Sequence, residues 1–326
     1  MTSKDGFGDR MKDYEQRWAG ERLLPLLPIC IRLDGKNFSK FTRKMEKPFD
    51  LRLMETMQYT TKKLVEETNA LVGYTQSDEI SLILYSDNRT SQVFFDGKLQ
   101  KITSVLASMC TFYFQEGLRK FYPFYANKTC FFDCRVWNVP TKEEAVNTIL
   151  WRELDATKNS ISSAARVYFS HKRLHKLTGA EMQELLWQER HINWNDYPAD
   201  FKRGSYFLRR TVSKKLTEDE LKTLPEKHNA RQFPDFVFTR NEIQKVTLPP
   251  LNKVENRVKV FFENAEPMSC YQDNPVKVNG HVLFVDGDKG IPSAIQDRNG
   301  NVALSGCRIC GASESQLKEK KCEKEE

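Results

Sequence analysis

No stretch of this 326-residue sequence approaches the roughly 18 consecutive apolar residues that a membrane-spanning helix needs. The nearest run, Leu23 to Ile31, is short and is broken by Pro25 and Pro28. The N-terminus, Thr2-Ser3-Lys4-Asp5, is polar and lacks the apolar segment of a secretory signal. A soluble, cytoplasmic protein with no membrane partner is therefore expected. There is no internal repeat, which excludes a solenoid. A strong excess of one charge is also missing: 51 basic against 44 acidic residues leaves +7, which permits a polyanionic partner without demanding one. No Gly-Lys-Ser/Thr order is present, so a Walker loop is excluded.

The chain does contain 39% hydrophobic and 29% charged residues, with 21 Phe and 11 Tyr. That is enough for a sizeable core and excludes wholesale disorder. Eight cysteines without a secretory signal read as reduced thiols. Only Cys307-x-x-Cys310 has ligand spacing, half of a zinc site that Cys270, Cys322 or His281 could complete. The plainer reading is a pair of small idle thiols.

Residues 26–34 form an apolar run that stops at Asp34-Gly35, a buried strand ending in a turn. Asp50 is placed to cap a helix whose Met54, Met57, Thr61, Leu64 and Val65 recur at helical spacing. Ala70–Thr75 and Ile80–Tyr85 read as two strands joined by the tight Gln76-Ser77-Asp78-Glu79 connection. A long helix over 98–120 and a Phe-rich strand over 128–139 follow. Strand, helix, hairpin, helix, strand is an α/β (α+β) order of the βαββαβ, ferredoxin-like type, with one strand compressed and helices on one face of the sheet. Thr141-x-x-Glu144 and Thr178-x-x-Glu181 have the form of capping boxes. The texture changes after about residue 212, which suggests a catalytic part over 1–212 and a C-terminal extension over 213–326. In the extension, Asn279-Gly280 sits in a hairpin pattern, and 317–326 reads as a charged, solvated tail.

Asp34 closes an apolar strand, and Asp78 and Glu79 sit at the tip of a hairpin that should lie beside it. Aspartates at turns commonly just bond backbone amides. A strand aspartate facing a hairpin aspartate can also hold one or two magnesium ions, which take hard oxygen ligands and share them with substrate phosphates. The segment Gly35-Lys36-Asn37-Phe38-Ser39-Lys40-Phe41 adds backbone amides, a hydroxyl and two lysines, groups able to cradle a triphosphate.

Several segments together resemble the histidine-tRNA guanylyltransferases and their relatives, the Thg1-like 3′-to-5′ polymerases. They are Ile31-Arg32-Leu33-Asp34-Gly35-Lys36-Asn37-Phe38, Lys47-Pro48-x-Asp50, Gln76-Ser77-Asp78-Glu79-x-Ser81, Phe132-Asp133-x-Arg135-Val136, Trp151-Arg152-x-x-Asp155, and the region from Asn193-x-Asn195 to Lys202-x-Gly204. They occur in the family's order, and the resemblance spans roughly residues 5–212. It implies a polymerase-palm domain with two Mg2+ ions. Asp34, the Gly35 carbonyl and Asp78 would be metal ligands, with Glu79 completing the catalytic acidic group. Arg32, Gly35, Lys36, Asn37, Phe38, Ser39, Lys47 and Ser77 would contact nucleotide. The substrates implied are ATP, GTP or another nucleoside triphosphate, and tRNA or related RNA extended at its 5′ end. The assembly implied is a homotetramer.

Two positions depart from the family. Its His-Ile-Asn-Asn-Leu-Tyr-Asn-like segment reads Thr157-Lys158-Asn159-Ser160-Ile161-Ser162-Ser163 here, and a histidine frequent in its nucleotide loop is Ser39. The first change favours templated repair of tRNA 5′ ends over strict guanylylation of histidine tRNA. A nucleotide cyclase on the same palm and a non-catalytic RNA-binding protein are the alternatives. Residues 156–180 contain no acid, and Lys172 and Lys176 are expected on one helix face. Arg152, Lys158, Asn159, Arg166, Lys172, Arg173, Lys202 and Arg203 are the expected RNA contacts, with Arg209-Arg210 extending the positive surface.

Overall fold

The computed structural model describes residues 6–91, 93–233 and 237–269, together with four short strands between 276 and 304. The chain runs α1 (Gly6–Ala19), β1 (Ile29–Gly35), α2 (Phe38–Phe41), α3 (Leu51–Thr68), β2 (Val72–Gln76), β3 (Glu79–Leu84), α4 (Leu99–Phe121), β4 (Phe132–Asn138) and α5 (Lys142–Tyr168). It continues through α6 (His171–Leu174), α7 (Gly179–Arg190), α8 (Ala199–Arg203), β5 (Ser205–Lys215), α9 (Glu218–Thr223), α10 (Asn229–Gln232), β6 (Val237–Val246) and α11 (Arg257–Phe262). A second compact unit, Ser269–Glu326, contributes β7 (Val276–Val278) paired with β8 (His281–Leu283), and β9 (Ala294–Gln296) paired with β10 (Val302–Leu304).

One antiparallel sheet in the order β4-β1-β3-β2-β5-β6 organises the first unit. Its first four strands, with α3 and α4, form the βαββαβ palm. No strand is compressed, because the 72–84 hairpin supplies both β2 and β3. Register follows from alternation: Ile29, Ile31 and Leu33 of β1 and Ile80, Leu82 and Leu84 of β3 share one face under α3 and α4. Leu33, Leu64, Ile80 and Leu106 are fully buried there, each contributing about 2 kcal/mol by leaving water.

Asp50 starts α3 as expected, its carboxylate accepting from the N–H groups of Arg52 and Leu53. Buried Thr56, Thr60, Thr61 and Thr68 satisfy their hydroxyls on carbonyls one turn back, at 2.7–2.8 Å. The helix stops at Asn69, which takes a left-handed φ of 56°. It lies close on β2, since a Cβ at Gly73 would meet Val65 Cγ2 at 2.4 Å. The Thr178–Glu181 capping box is complete, whereas at Thr141 only the hydroxyl-to-Glu144 half is made.

The palm's own helices, α3 and α4, lie on one face of the sheet, as expected. The opposite face also carries apolar residues, Cys30, Val72, Tyr74 and Ile83, and α5 and α11 cover them through Ala145, Val146, Ile149, Val260 and Phe261. The second half of α5 packs on α6 and α7 through Ile161, Ala164, Ala165, Leu174 and Leu186. The break expected after residue 212 falls inside β5, which pairs with β6 from Tyr206 to Lys215. The first unit extends to Met268. The Asn279-Gly280 turn residues, Cys307-x-x-Cys310 and the 317–326 tail lie outside the described residues.

Candidate active site

Period-two alternation puts Arg32 and Asp34 on the α5 side of β1. Antiparallel register then sets Glu79 of β3 opposite Asp34 on one side and Asp133 of β4 opposite it on the other. Asp78 arrives from the two-residue turn between β2 and β3. Its backbone carbonyl accepts from Gly35 N–H at 3.1 Å, and a Cβ at Gly35 would sit 3.0 Å from Asp78 Cβ. A side chain here would crowd Asp78 and would meet the Phe38 ring at 2.6 Å, so glycine lets the strand end pack closely. Ser77 (φ 56°) and Asn37 (φ 54°) both occupy the left-handed region, which costs a non-glycine residue about 1 kcal/mol. Strain of this kind collects where the chain must aim functional groups, and these two residues flank the acidic pair.

The three expected acids have different electrostatic surroundings. Glu79 is clamped by Arg152, whose Nε lies 2.6 Å from Oε1, and is faced by Arg32 at 3.9 Å. Burial raises its pKa and the two guanidiniums oppose the rise. Asp34 and Asp78 form no ion pair among the described residues. Burial, and then the charge of Asp34, push the Asp78 carboxyl up to about 6. Two adjacent carboxylates and the Gly35 carbonyl are the hard oxygen donors that magnesium prefers, and the missing positive charge is what such an ion supplies. The donor set fits. Among the described residues no group of three His, Cys, Asp or Glu could itself hold a metal. Further oxygens would come from backbone, substrate phosphate or water, as is usual for magnesium.

Asp78 and Ser77 line a cavity of about 770 Å³, within the roughly 300–1,000 Å³ range of small-molecule sites. Phe38, Ser39 and Lys47 line it too, while Arg32, Gly35, Lys36 and Asn37 do not. The Phe38 ring is 5% exposed and packs against the rings of Phe41, Phe114 and Phe132. It is a core residue that also borders the cavity. The lining is completed by α5, α8 and the start of β5, with Ser163, Arg166, Asp200, Phe201 and Ser205. Phe201 stacks on Phe49 with ring centroids 5.0 Å apart. Asp200 accepts from the Ser205 hydroxyl at 2.6 Å and pairs with Lys245 at 2.8 Å.

The expected RNA contacts separate into two groups. Lys158, Asn159, Arg166, Lys172 and Arg173 are exposed, with Arg173 ion-paired to Glu189. Lys202 and Arg203 are buried, contrary to expectation. The Lys202 ammonium donates to the Asn195 carbonyl at 2.7 Å, and Arg203 donates to the Leu248 carbonyl at 3.5 Å. Arg152 is likewise committed, to Glu79 and to Asp155 at 2.9 Å. Arg209 donates to the carbonyls of Ala70 and Val65, and Arg210 pairs with Glu266, so neither extends a positive surface. Lys176 lies beyond the end of α6, at φ 70°, and shares no helix face with Lys172.

Sequence reasoning omitted Asp133, although Phe132-Asp133-x-Arg135 was visible as a motif. The cavity residues Phe49, Asp200, Phe201 and Ser205 were also omitted. The α8 residues carry no local signal that would bring them to a turn more than 100 residues earlier.

A βαββαβ palm with an uncompensated aspartate pair, of which Asp78 lines a nucleotide-sized cavity, is an arrangement suited to nucleotidyl transfer. The tRNAHis guanylyltransferase (Thg1) family matches residues 8–140. A bacterial tRNA(His) guanylyltransferase (Thg1)-like protein in complex with ATP is 41% identical with a TM-score of 0.59, over 63% of this chain and 87% of that one. A bacterial Thg1-like protein in complex with GTP is 32% identical with a TM-score of 0.59, over 78% of this chain and 99% of that one. The tRNA(His) guanylyltransferase of Schizosaccharomyces pombe is 28% identical over 225 residues, 65% of this chain and 84% of that protein. The chain belongs to the tRNA(His) guanylyltransferase (Thg1) family. No helix among the described residues is long and apolar enough to cross a membrane.

Proposed function

We propose that this chain is a magnesium-dependent enzyme that adds nucleotides to the 5′ end of tRNA, working in the cytoplasm as a homotetramer, and that templated 5′-end repair is its main task. The observation that carries the reading is the Asp34–Asp78 pair, without a counter-cation among the described residues, with Asp78 opening into a cavity of about 770 Å³. Asp34, Asp78 and the Gly35 carbonyl would hold the metal ions. When bound, these ions supply charge neutralisation and activation of an attacking oxygen. Ser39, Ser77 and Lys47 bind the polyphosphate of ATP or of the incoming GTP or other triphosphate. Arg152 and Arg32 hold Glu79 beside Asp34 and so position the strand end.

In the first transfer, a 5′-phosphate oxygen of the RNA attacks the α-phosphorus of ATP and pyrophosphate leaves. In the second, the 3′-hydroxyl of the incoming triphosphate attacks the adenylylated end and AMP leaves. Both are phosphoryl transfers, in which positioning and charge stabilisation supply most of the catalysis. The exposed Lys158, Asn159, Lys172 and Arg173 contact the RNA backbone. The altered 157–163 segment favours repair over strict histidine-tRNA guanylylation. The exposed Phe7, Met11, Tyr14 and Trp18 of α1 form an apolar stripe at helical spacing, consistent with self-assembly.

The test is to incubate the protein with a 5′-truncated, 5′-monophosphorylated tRNA, ATP, magnesium and each labelled triphosphate, beside full-length histidine tRNA. Asp78→Ala is the control. Extension that follows the opposing base and stops at the full stem is expected. Addition of G to histidine tRNA alone would replace repair with maturation. No incorporation on any RNA would refute the polymerase reading.

A further inference from the structure

We propose that Arg166, whose cationic stretch of sequence reads as an RNA contact, holds the polyphosphate of the nucleotide in the cavity; this rests on the nucleotidyl-transfer reading above. Ser163, Arg166 and Val167 occur at i, i+3 and i+4 on α5 and together form one wall of the cavity. The same cavity is lined by Ser77 and Asp78 of the β2–β3 turn and by Ser39 and Lys47, and Ser39, Ser77 and Lys47 are the groups assigned to the phosphates.

The cavity is poor in positive charge. Its lining includes four acids, Glu46, Asp50, Asp78 and Asp200, and only two cations, Lys47 and Arg166. Asp50 is occupied by Arg52 and by the Tyr122 hydroxyl at 2.9 Å. Asp200 is occupied by Lys245. Lys47 donates to the Thr42 carbonyl at 3.3 Å. Arg166 is exposed and has no hydrogen bond, ion pair or ring contact among the described residues. Other arginines around the site are spent internally, Arg32 and Arg152 on Glu79 and Arg203 in the buried core. Arg166 is thus an unengaged planar guanidinium on the wall of a cavity that must receive several negative charges. Its five donors suit bidentate contact with phosphate oxygens, and the hydroxyls of Ser39 and Ser77 cannot supply that charge.

The test uses the full chain and the variants Arg166→Ala and Arg166→Lys, with equilibrium binding of ATP, adenosine and a 5′-monophosphorylated tRNA measured separately. Arg166 is exposed, so its truncation leaves the core intact. Arg166→Ala is expected to weaken ATP binding about tenfold or more, the size of one charge-assisted contact. Arg166→Lys should recover part of the loss, adenosine binding should change less than about twofold, and tRNA binding likewise. In turnover, the KM for the triphosphate should rise more than kcat falls. Unchanged ATP affinity in Arg166→Ala, with or without a loss of tRNA affinity, overturns the assignment. So does an equal loss for ATP and adenosine. Wild-type protein that binds no ATP at all would instead refute the nucleotidyl-transfer reading itself.

Discussion

Replacing Asp78 by asparagine should make the metal-free protein more stable while removing its activity. Burial, reinforced by the neighbouring charge of Asp34, raises the Asp78 carboxyl from an ordinary value of 3.8 to about 6. A carboxyl raised on folding contributes stability that is fully present below its unfolded pKa, near 3.8, and is lost as pH rises through about 6. At pH 7.5 the whole penalty applies, about 3 kcal/mol at one pKa unit per 1.36 kcal/mol. Asparagine bears no charge but gives up the bond from Ser77, so a net gain of about 1–3 kcal/mol is expected. At about 2–4 °C per kcal/mol for a domain of this size, Tm should rise by roughly 2–12 °C. The assay is thermal unfolding of both proteins in chelator at pH 7.5 and pH 4.5. The difference should shrink at the lower pH, where wild-type Asp78 is largely protonated. Added magnesium should raise the wild-type Tm and leave the variant's nearly unchanged. An equal or lower Tm for Asp78→Asn at pH 7.5, or a gain that persists undiminished at pH 4.5, would refute the argument that an uncompensated charge strains this site.

Arg152→Ala removes the closest partner of Glu79, whose side chain is only 13% exposed, and leaves Arg32 at 3.9 Å. A loss of about 2–4 kcal/mol is expected in urea unfolding, and adding Glu79→Gln to the same chain should restore part of it. Asp50→Ala should cost about 2–4 kcal/mol, because one buried carboxylate caps α3, accepts from Glu46 N–H at 3.1 Å and accepts from the Tyr122 hydroxyl. Asp50→Asn should cost less, and both variants should unfold earlier in denaturant with an unchanged m-value.

The parts of the fold readable in the sequence were those governed by short-range chemistry. Asp50 has the residue type and position of a cap, and α3 begins after it. Ile29, Ile31 and Leu33 alternate with Cys30, Arg32 and Asp34, which decided both the strand and the side of the sheet on which its carboxylate lies. The Gln76–Glu79 turn is equally local and keeps Asp78 and Glu79 together, but Asp34 joins them only through the pairing of β1 with β3. The second apolar face of the sheet was harder to see. Cys30, Val72, Tyr74 and Ile83 are distributed over three strands, and their cover comes from α5 and from α11.

Arginine and lysine chemistry shows the same division more sharply. Arg152, Arg166, Lys202, Arg203, Arg209 and Arg210 look alike in one dimension, since each is simply a cation. Packing alone separates the one committed to Glu79, those buried on backbone carbonyls or carboxylates, and the one left unengaged at the cavity. A side chain's charge is a property of its own residue, whereas its partner and its solvation depend on what folds against it. Segment order, caps and strand faces therefore follow from local sequence, while the Asp34–Asp78 pair needs β1 and β3 to pair. The cavity assembled from 38–49, 75–78, 163–167 and 200–205 exists only once the sheet brings those segments together.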